Sequence, residues 1–140
     1  GRMRAFTVHQ PYAYAIVAGL KPHETRSRRT NIRGRVAVHA GKANLNRATR
    51  ELSDRGFWEL LGAVGGKTVG LPMGAVMGTV EIVDCVPVEK VVDGLTPQEK
   101  ALGDYSPGRW AWVLKNPVMF DTPIPACGRQ GWWNWEGAGE

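Results

Sequence analysis

The chain has 140 residues, a formal net charge of +5 and a pI near 9.6, with 43% hydrophobic and 22% charged residues. That length suits one domain that removes roughly two-thirds of its unfolded surface from water, and the composition is ordinary for a soluble globular protein. No apolar run approaches the roughly 18 residues of a membrane span, and no secretory leader pattern opens the sequence. Two cysteines, Cys85 and Cys127, make neither a disulfide framework nor a metal-ligand set, which points to reduced thiols. A single domain over 3–136 is expected, with Gly1-Arg2 read as a cloning remnant. The basic balance favours polyanionic partners, and the reduced thiols a cytoplasmic protein, with nucleoid or nuclear association open.

Phe6-Thr7-Val8 reads as a strand, with Arg4, Phe6 and Val8 on one face and Ala5, Thr7 and His9 on the other. Pro11 suits the first position of a helix, Ala13, Ile16, Val17 and Leu20 fall on one helical face, and Gly19 supplies a left-handed stop. The chain then enters Lys21, His23, Glu24, Thr25 and Arg26, titratable groups crowded beside a turn, and a site is expected there. Glu24 to Arg29 is too polar for a core strand and reads as an edge strand or rim, with Glu24, Arg26 and Arg28 on one side. Arg33 to Ala40 is the clearest amphipathic strand, with Val36, Val38 and Ala40 opposite Arg33, Arg35, Ala37 and His39.

Asn44 to Gly62 reads as a helix capped by Asn44, followed by a glycine-rich loop to Gly74, with Trp58 just before it as a core anchor or a lid residue. Gly74 to Val88 is the longest predicted strand. Val76, Val80 and Ile82 share a face, Gly78 marks a bulge, and Glu81 stands among Met77, Thr79, Val83 and Cys85 on the other. A carboxylate there is costly to bury unless it is paired or neutralised. It is either a structural ion pair with an arginine or a functional carboxylate, with a raised pKa or fixed by Lys21 or Arg26. Thr96, Pro97 and Glu99 form a capping-box signature, Tyr105 to Gly108 a turn, and Arg109 to Leu114 a strand with Trp110 and Trp112 facing the core. Asn116-Pro117 is expected to end that strand, and the aromatic tail from Gly131 to Trp135 to be tied against the domain. The predicted fold is α+β: a small mixed β-barrel with two to three short helices on its rim.

Arg26, Arg28, Arg29, Arg33, Arg35 and Lys42 crowd one stretch, with Arg47 and Arg50 following. Basic side chains at that density supply phosphate contacts and a salt-dependent affinity. Tyr12, Tyr14, Tyr105 or a tryptophan can stack on an unpaired base. The three histidines have no metal spacing; His9 and His39 read as hydrogen-bonded strand residues and His23 as the exposed one.

His9-Gln10-Pro11-Tyr12-Ala13, Gly19-Leu20-Lys21 and Glu24-Thr25-Arg26-Ser27 together resemble the opening motif of ASCH domains. Arg33-Gly34-Arg35, Gly78 to Cys85, Ala111 to Pro117, Ile124-Pro125, Gly128 and Trp133 extend the resemblance over nearly the whole chain. It is closest to the branch holding the C-terminal domain of the transcription coactivator activating signal cointegrator 1. The resemblance implies a barrel similar to the PUA RNA-binding domain, a cleft between barrel and first helix, and association with RNA or DNA. Some small members hydrolyse N4-acylated cytidines with a lysine, a threonine and a glutamate, and others are nucleases. Gly19, Lys21, Arg26 and Glu81 match that pattern. The threonine position holds Glu24, and the nearest hydroxyl, Thr25, would face the opposite side of an extended segment.

Three functions remain. The leading one is a nucleic-acid-binding module using His9, Tyr12, Lys21, Arg26, Arg28, Arg29, Arg33, Arg35, Lys42 and Arg47, with a base or nucleotide in the cleft. The second is an amidohydrolase or ribonuclease whose catalytic set would be Lys21, Glu24, Thr25 and Glu81. There, burial would lower the lysine pKa, Glu81 would orient a water and Arg26 would stabilise an oxyanion. The third is a protein-docking module presenting Trp132 or Trp135. No cofactor, metal or membrane partner is expected, and the sequence carries no signal for oligomeric state.

Overall fold

The computed structural model describes residues 1–42 and 71–137. Six strands, β1 (Met3–Val8), β2 (His23–Arg26), β3 (Gly34–Ala40), β4 (Ala75–Pro87), β5 (Trp110–Pro125) and β6 (Trp133–Trp135), form one sheet in the order β2-β5-β4-β3-β1-β6. β1 and β3 run parallel, and the other neighbours are antiparallel. Among the described residues two short helices, α1 (Tyr12–Val17) and α2 (Pro97–Ala101), accompany the sheet in a mixed α+β fold, with 3-10 turns at Val88–Lys90 and Val92–Gly94. Among the described residues β2 and β6 are the sheet's two edges and do not pair, so the expected closed barrel is not established. Edges of four and three residues leave little backbone to pair.

The period-2 alternation read from the sequence sorts the side chains onto two faces. Phe6, Val8, Val36, Val38, Val80, Ile82, Trp112 and Leu114 meet Ala13, Ile16 and Val17 of α1 in the main core. The other face buries Ala5, Ala37 and Val76 under Trp133 and Trp135. Val76 therefore leaves the face it was expected to share with Val80. Val38 lies opposite Gly78 but His39 opposite Val76, so Met77 is an extra residue, and a one-residue bulge exchanges faces. Gly78 is required at this point: a Cβ on it would lie 2.0 Å from the Val118 carbonyl oxygen of β5.

Asn116-Pro117 does not end β5. Asn116 takes φ +51 and the pair is absorbed as a bulge, after which the strand runs on to Pro125. Pro11 stands just before α1 in the N-cap position, and the cap is made by Gln10, whose Oε1 accepts from the Tyr14 N–H at 2.9 Å. Gly19, at φ +79, follows the helix as the expected stop. The Thr96–Glu99 capping box is formed reciprocally at the start of α2. The helix expected from Asn44, together with Trp58, Arg47 and Arg50, lies outside the described residues. Among those described, no helix is long and apolar enough to cross a membrane.

Candidate functional site

Short β2 holds the site because it pairs with β5 and is overlaid by the segment that follows α2. Glu24 lies opposite Trp112, Thr25 opposite Ala111 and Arg26 opposite Trp110. Despite their polarity His23, Glu24 and Thr25 are buried, and each has a partner. The Thr25 hydroxyl accepts from the Asp104 N–H at 2.9 Å, and the Thr25 carbonyl accepts from Arg109 Nη2 at 2.9 Å. Lys21, also buried, donates from Nζ to the Leu102 carbonyl and stands 3.8 Å from Glu24 Oε1. Arg26 Nε donates to Glu24 Oε2 at 2.7 Å, and its Nη2 donates to the Thr7 carbonyl at 3.0 Å, tying β2 to the end of β1.

These residues line a cleft of about 300 Å³, with Thr7, Val8, His9 and Tyr12 on one side and Leu102, Gly103, Asp104 and Arg109 on the other. The Tyr12 ring lies 5.5 Å from Lys21 Nζ, and the Arg26 guanidinium packs 5.3 Å from the Trp112 ring. A wider pocket of about 1130 Å³ adjoins the cleft and shares Thr7, His9 and Arg26 with it. Behind the cleft His23 bonds Tyr105 at 3.0 Å rather than facing solvent as expected. Burial, reinforced by the Lys21 charge, lowers the His23 pKa, and burial raises that of Tyr105.

Lys21, Glu24, Thr25 and Arg26 are thus brought together, with His9 and Tyr12 beside them. Glu81 is not: it does not line the cleft, and its carboxylate pairs with Arg35 directly across β3 and β4, at 3.1 Å. The paired-carboxylate reading of Glu81 is the one realised, but its partner is neither Lys21 nor Arg26. Arg35 also donates to Thr79 Oγ1 and the Asn116 carbonyl, which spends its fork on the fold. Arg33 bonds the Thr30 and Ile32 carbonyls and stands 3.9 Å from Asp84. Arg28 and Arg29 are exposed just beyond β2, and Lys42 lines the wider pocket. The basic stretch is therefore divided among several roles rather than forming one stripe.

His39 is buried and hydrogen-bonded to the Ala126 carbonyl, as expected of a strand residue, whereas His9 lies exposed just beyond the end of β1 and not in a strand. The aromatic tail is not an exposed surface. Trp133 and Trp135 are buried, and Trp132 stacks on Trp112 at 5.4 Å. Sequence reasoning missed Arg109, Asp104 and Arg129. The capping box locates the segment after α2, yet nothing local shows that it folds over β2. Among the described residues no cluster is arranged to hold a metal, and Cys85 and Cys127 are free thiols.

Comparison with curated proteins returned no match. The fold is similar to the crystal structure of ASCH from Zymomonas mobilis, at 17% identity and a TM-score of 0.54, covering 87% of this chain and 72% of that one. A tyrosine-to-phenylalanine variant of the Zymomonas mobilis protein aligns at 19% identity and a TM-score of 0.52, covering 87% and 74%. The ASCH domain family model matches residues 6–124, spanning β1 to β5 and every element of the cleft, and the chain belongs to the ASCH domain family.

Proposed function

We propose that this ASCH domain is a nucleic-acid-binding module that takes one nucleotide of an RNA or DNA strand in the cleft between β2, the end of β1 and the 102–104 segment. The observation that carries the reading is how the cleft's donors are held. Arg26 and Arg109 are each fixed by a backbone carbonyl and a carboxylate, which leaves further guanidinium N–H groups for a ligand. Fixed forks of this kind suit phosphate and base-edge acceptors. A volume of about 300 Å³ is at the small end for a ligand pocket, which suits one nucleotide.

The hydrolytic alternative has less support. Its glutamate is committed to Arg35, and its lysine donates to the Leu102 carbonyl with the Glu24 carboxylate 3.8 Å away, an arrangement that favours the charged form over a neutral amine. The protein-docking alternative loses its exposed tail. A place in the coactivator branch is compatible with a binding role and rests on the motif residues alone.

The test is fluorescence anisotropy with labelled single-stranded RNA, single-stranded DNA and duplex DNA at two salt concentrations, with the probes afterwards checked for cleavage. Micromolar or tighter binding that weakens with salt, intact probes, and a loss on Arg26→Lys are expected, because lysine keeps the charge but loses the fork. No binding at low salt refutes the proposal.

A further inference from the structure

The wider pocket differs from the cleft in charge. The cleft sets Lys21, Arg26 and Arg109 against Glu24 and Asp104. Among the described residues of the wider pocket there are three cations, Arg26, Lys42 and Arg129, and no carboxylate. Lys42 and Arg129 are exposed, and among the described residues neither is ion-paired. Arg26 is already paired with Glu24, so Lys42 and Arg129 supply the uncompensated charge, and a concavity carrying it focuses its field on anions.

The pocket is also a built frame. His39 Nε2 donates to the Ala126 carbonyl at 2.8 Å, which leaves Nδ1 to accept from the Thr7 hydroxyl at 3.2 Å. Trp133 Nε1 in turn donates to Thr7 Oγ1 at 3.2 Å. Gly128 passes so close to this relay that a Cβ on it would lie 2.4 Å from His39 Cε1. The 126–129 wall is therefore pressed against the sheet, and the Arg129 carbonyl lies within 3.3 Å of the Thr7 hydroxyl.

We propose that this second pocket binds phosphate groups of a single-stranded nucleic acid whose neighbouring nucleotide occupies the cleft. The inference rests on the cleft being a nucleotide site. Thr7, His9 and Arg26 line both cavities, so one chain can pass from the mixed-charge cleft into a pocket whose described lining holds cations and no carboxylate. A base held in the cleft must be unstacked and unpaired, which single strands allow at least cost. Phosphate is the shared chemistry of two sources, the backbone of a strand and the 5′-phosphate of a free nucleotide.

The experiment uses the full chain, fluorescein-labelled RNA and DNA octamers of randomised sequence, and a mixture of nucleoside 5′-monophosphates. Cys127 lines the pocket and is exposed, whereas Cys85 is half-buried elsewhere, so the two thiols report occupancy and a reference. An octamer is expected to slow N-ethylmaleimide alkylation of Cys127 and leave Cys85 unchanged, read by mass spectrometry. The Lys42→Gln/Arg129→Gln double variant should lower the slope of log affinity against log salt by about 1.4, two contacts at roughly 0.7 each for a single strand. Tyr12→Leu, in the cleft alone, should weaken binding with the slope unchanged.

An octamer that binds the double variant with an unaltered slope and leaves Cys127 unprotected overturns the inference while the cleft reading stands. Absence of octamer binding to the wild type overturns both. Equal protection of Cys127 by mononucleotides overturns the assignment to a strand and points to a terminal phosphate.

Discussion

Glu24 is a buried carboxylate between two cations, and neutralising it isolates what that arrangement contributes. Its side chain is 7% exposed and that of Lys21 is 3%, with Arg26 at 31%. In Glu24→Gln the shape is kept, but Lys21 loses its nearest opposite charge and Arg26 loses a charge-assisted bond. Removing one partner of a buried ion pair costs about 3–5 kcal/mol, because the remaining charge is left uncompensated in a poorly solvated place. Discounting for Arg26, which solvent screens, the expected loss is about 3 kcal/mol, or roughly 10 °C in Tm for a chain of this size. Urea unfolding followed by tryptophan fluorescence measures it. The same change at Glu81, whose pair with Arg35 is about one-third exposed on each side, should cost no more than about 1 kcal/mol. Adding Lys21→Met to Glu24→Gln removes the stranded charge and should restore much of the loss. A Glu24→Gln variant within 1 kcal/mol of wild type would refute the reasoning, as would a double variant less stable than the single one.

His23 is depressed by burial from its ordinary value of 6.5, with the Lys21 charge as a further cause. The unfolded chain therefore takes up a proton at a pH where the folded one does not, and stability falls as pH drops below about 6.5. Thermal melts between pH 7.5 and 5.5 should show this slope, and His23→Gln should flatten it. Gly78→Ala forces a methyl group into the Val118 carbonyl and should cost at least about 1–3 kcal/mol in urea unfolding, with β4 and β5 unable to keep their register. Titration with Ellman's reagent should find two thiols, Cys127 reacting quickly and Cys85 slowly, with no change after reduction.

The strands were legible because alternation at Phe6 and Val8, at Val36 to Ala40 and at Val80 and Ile82 is a local pattern that the sheet obeys. The Thr96 cap was legible for the same reason, since a capping box is complete within four residues. What escaped was long-range. Polar β2 is the edge strand its composition suggested, but its burial was hidden because nothing nearby shows that Asp104 and Arg109, some eighty residues on, close over it. The Arg35 partner of Glu81 becomes visible only once the β3–β4 register is known. The bulge falls beside Gly78, where the glycine marked it, but that its extra residue, Met77, moves Val76 to the other face shows only in the pairing register. Asn116-Pro117 carried the chemistry of a stop, but Asn tolerates a left-handed backbone and the strand resumed beyond it.

The pairing of β6 with β1 has a consequence for how the molecule is made. Trp133 reaches Thr7 across 126 positions of chain, and Trp135 lies opposite Met3. Loop closure over such a distance comes late and slows folding. During synthesis β1 can meet β3 early, but Ala5, Ala37 and Val76 stay uncovered until Trp133 and Trp135 have left the ribosome. A nascent chain stalled before Trp133 would present that apolar sheet face, and an open β1 edge, to every other chain around it.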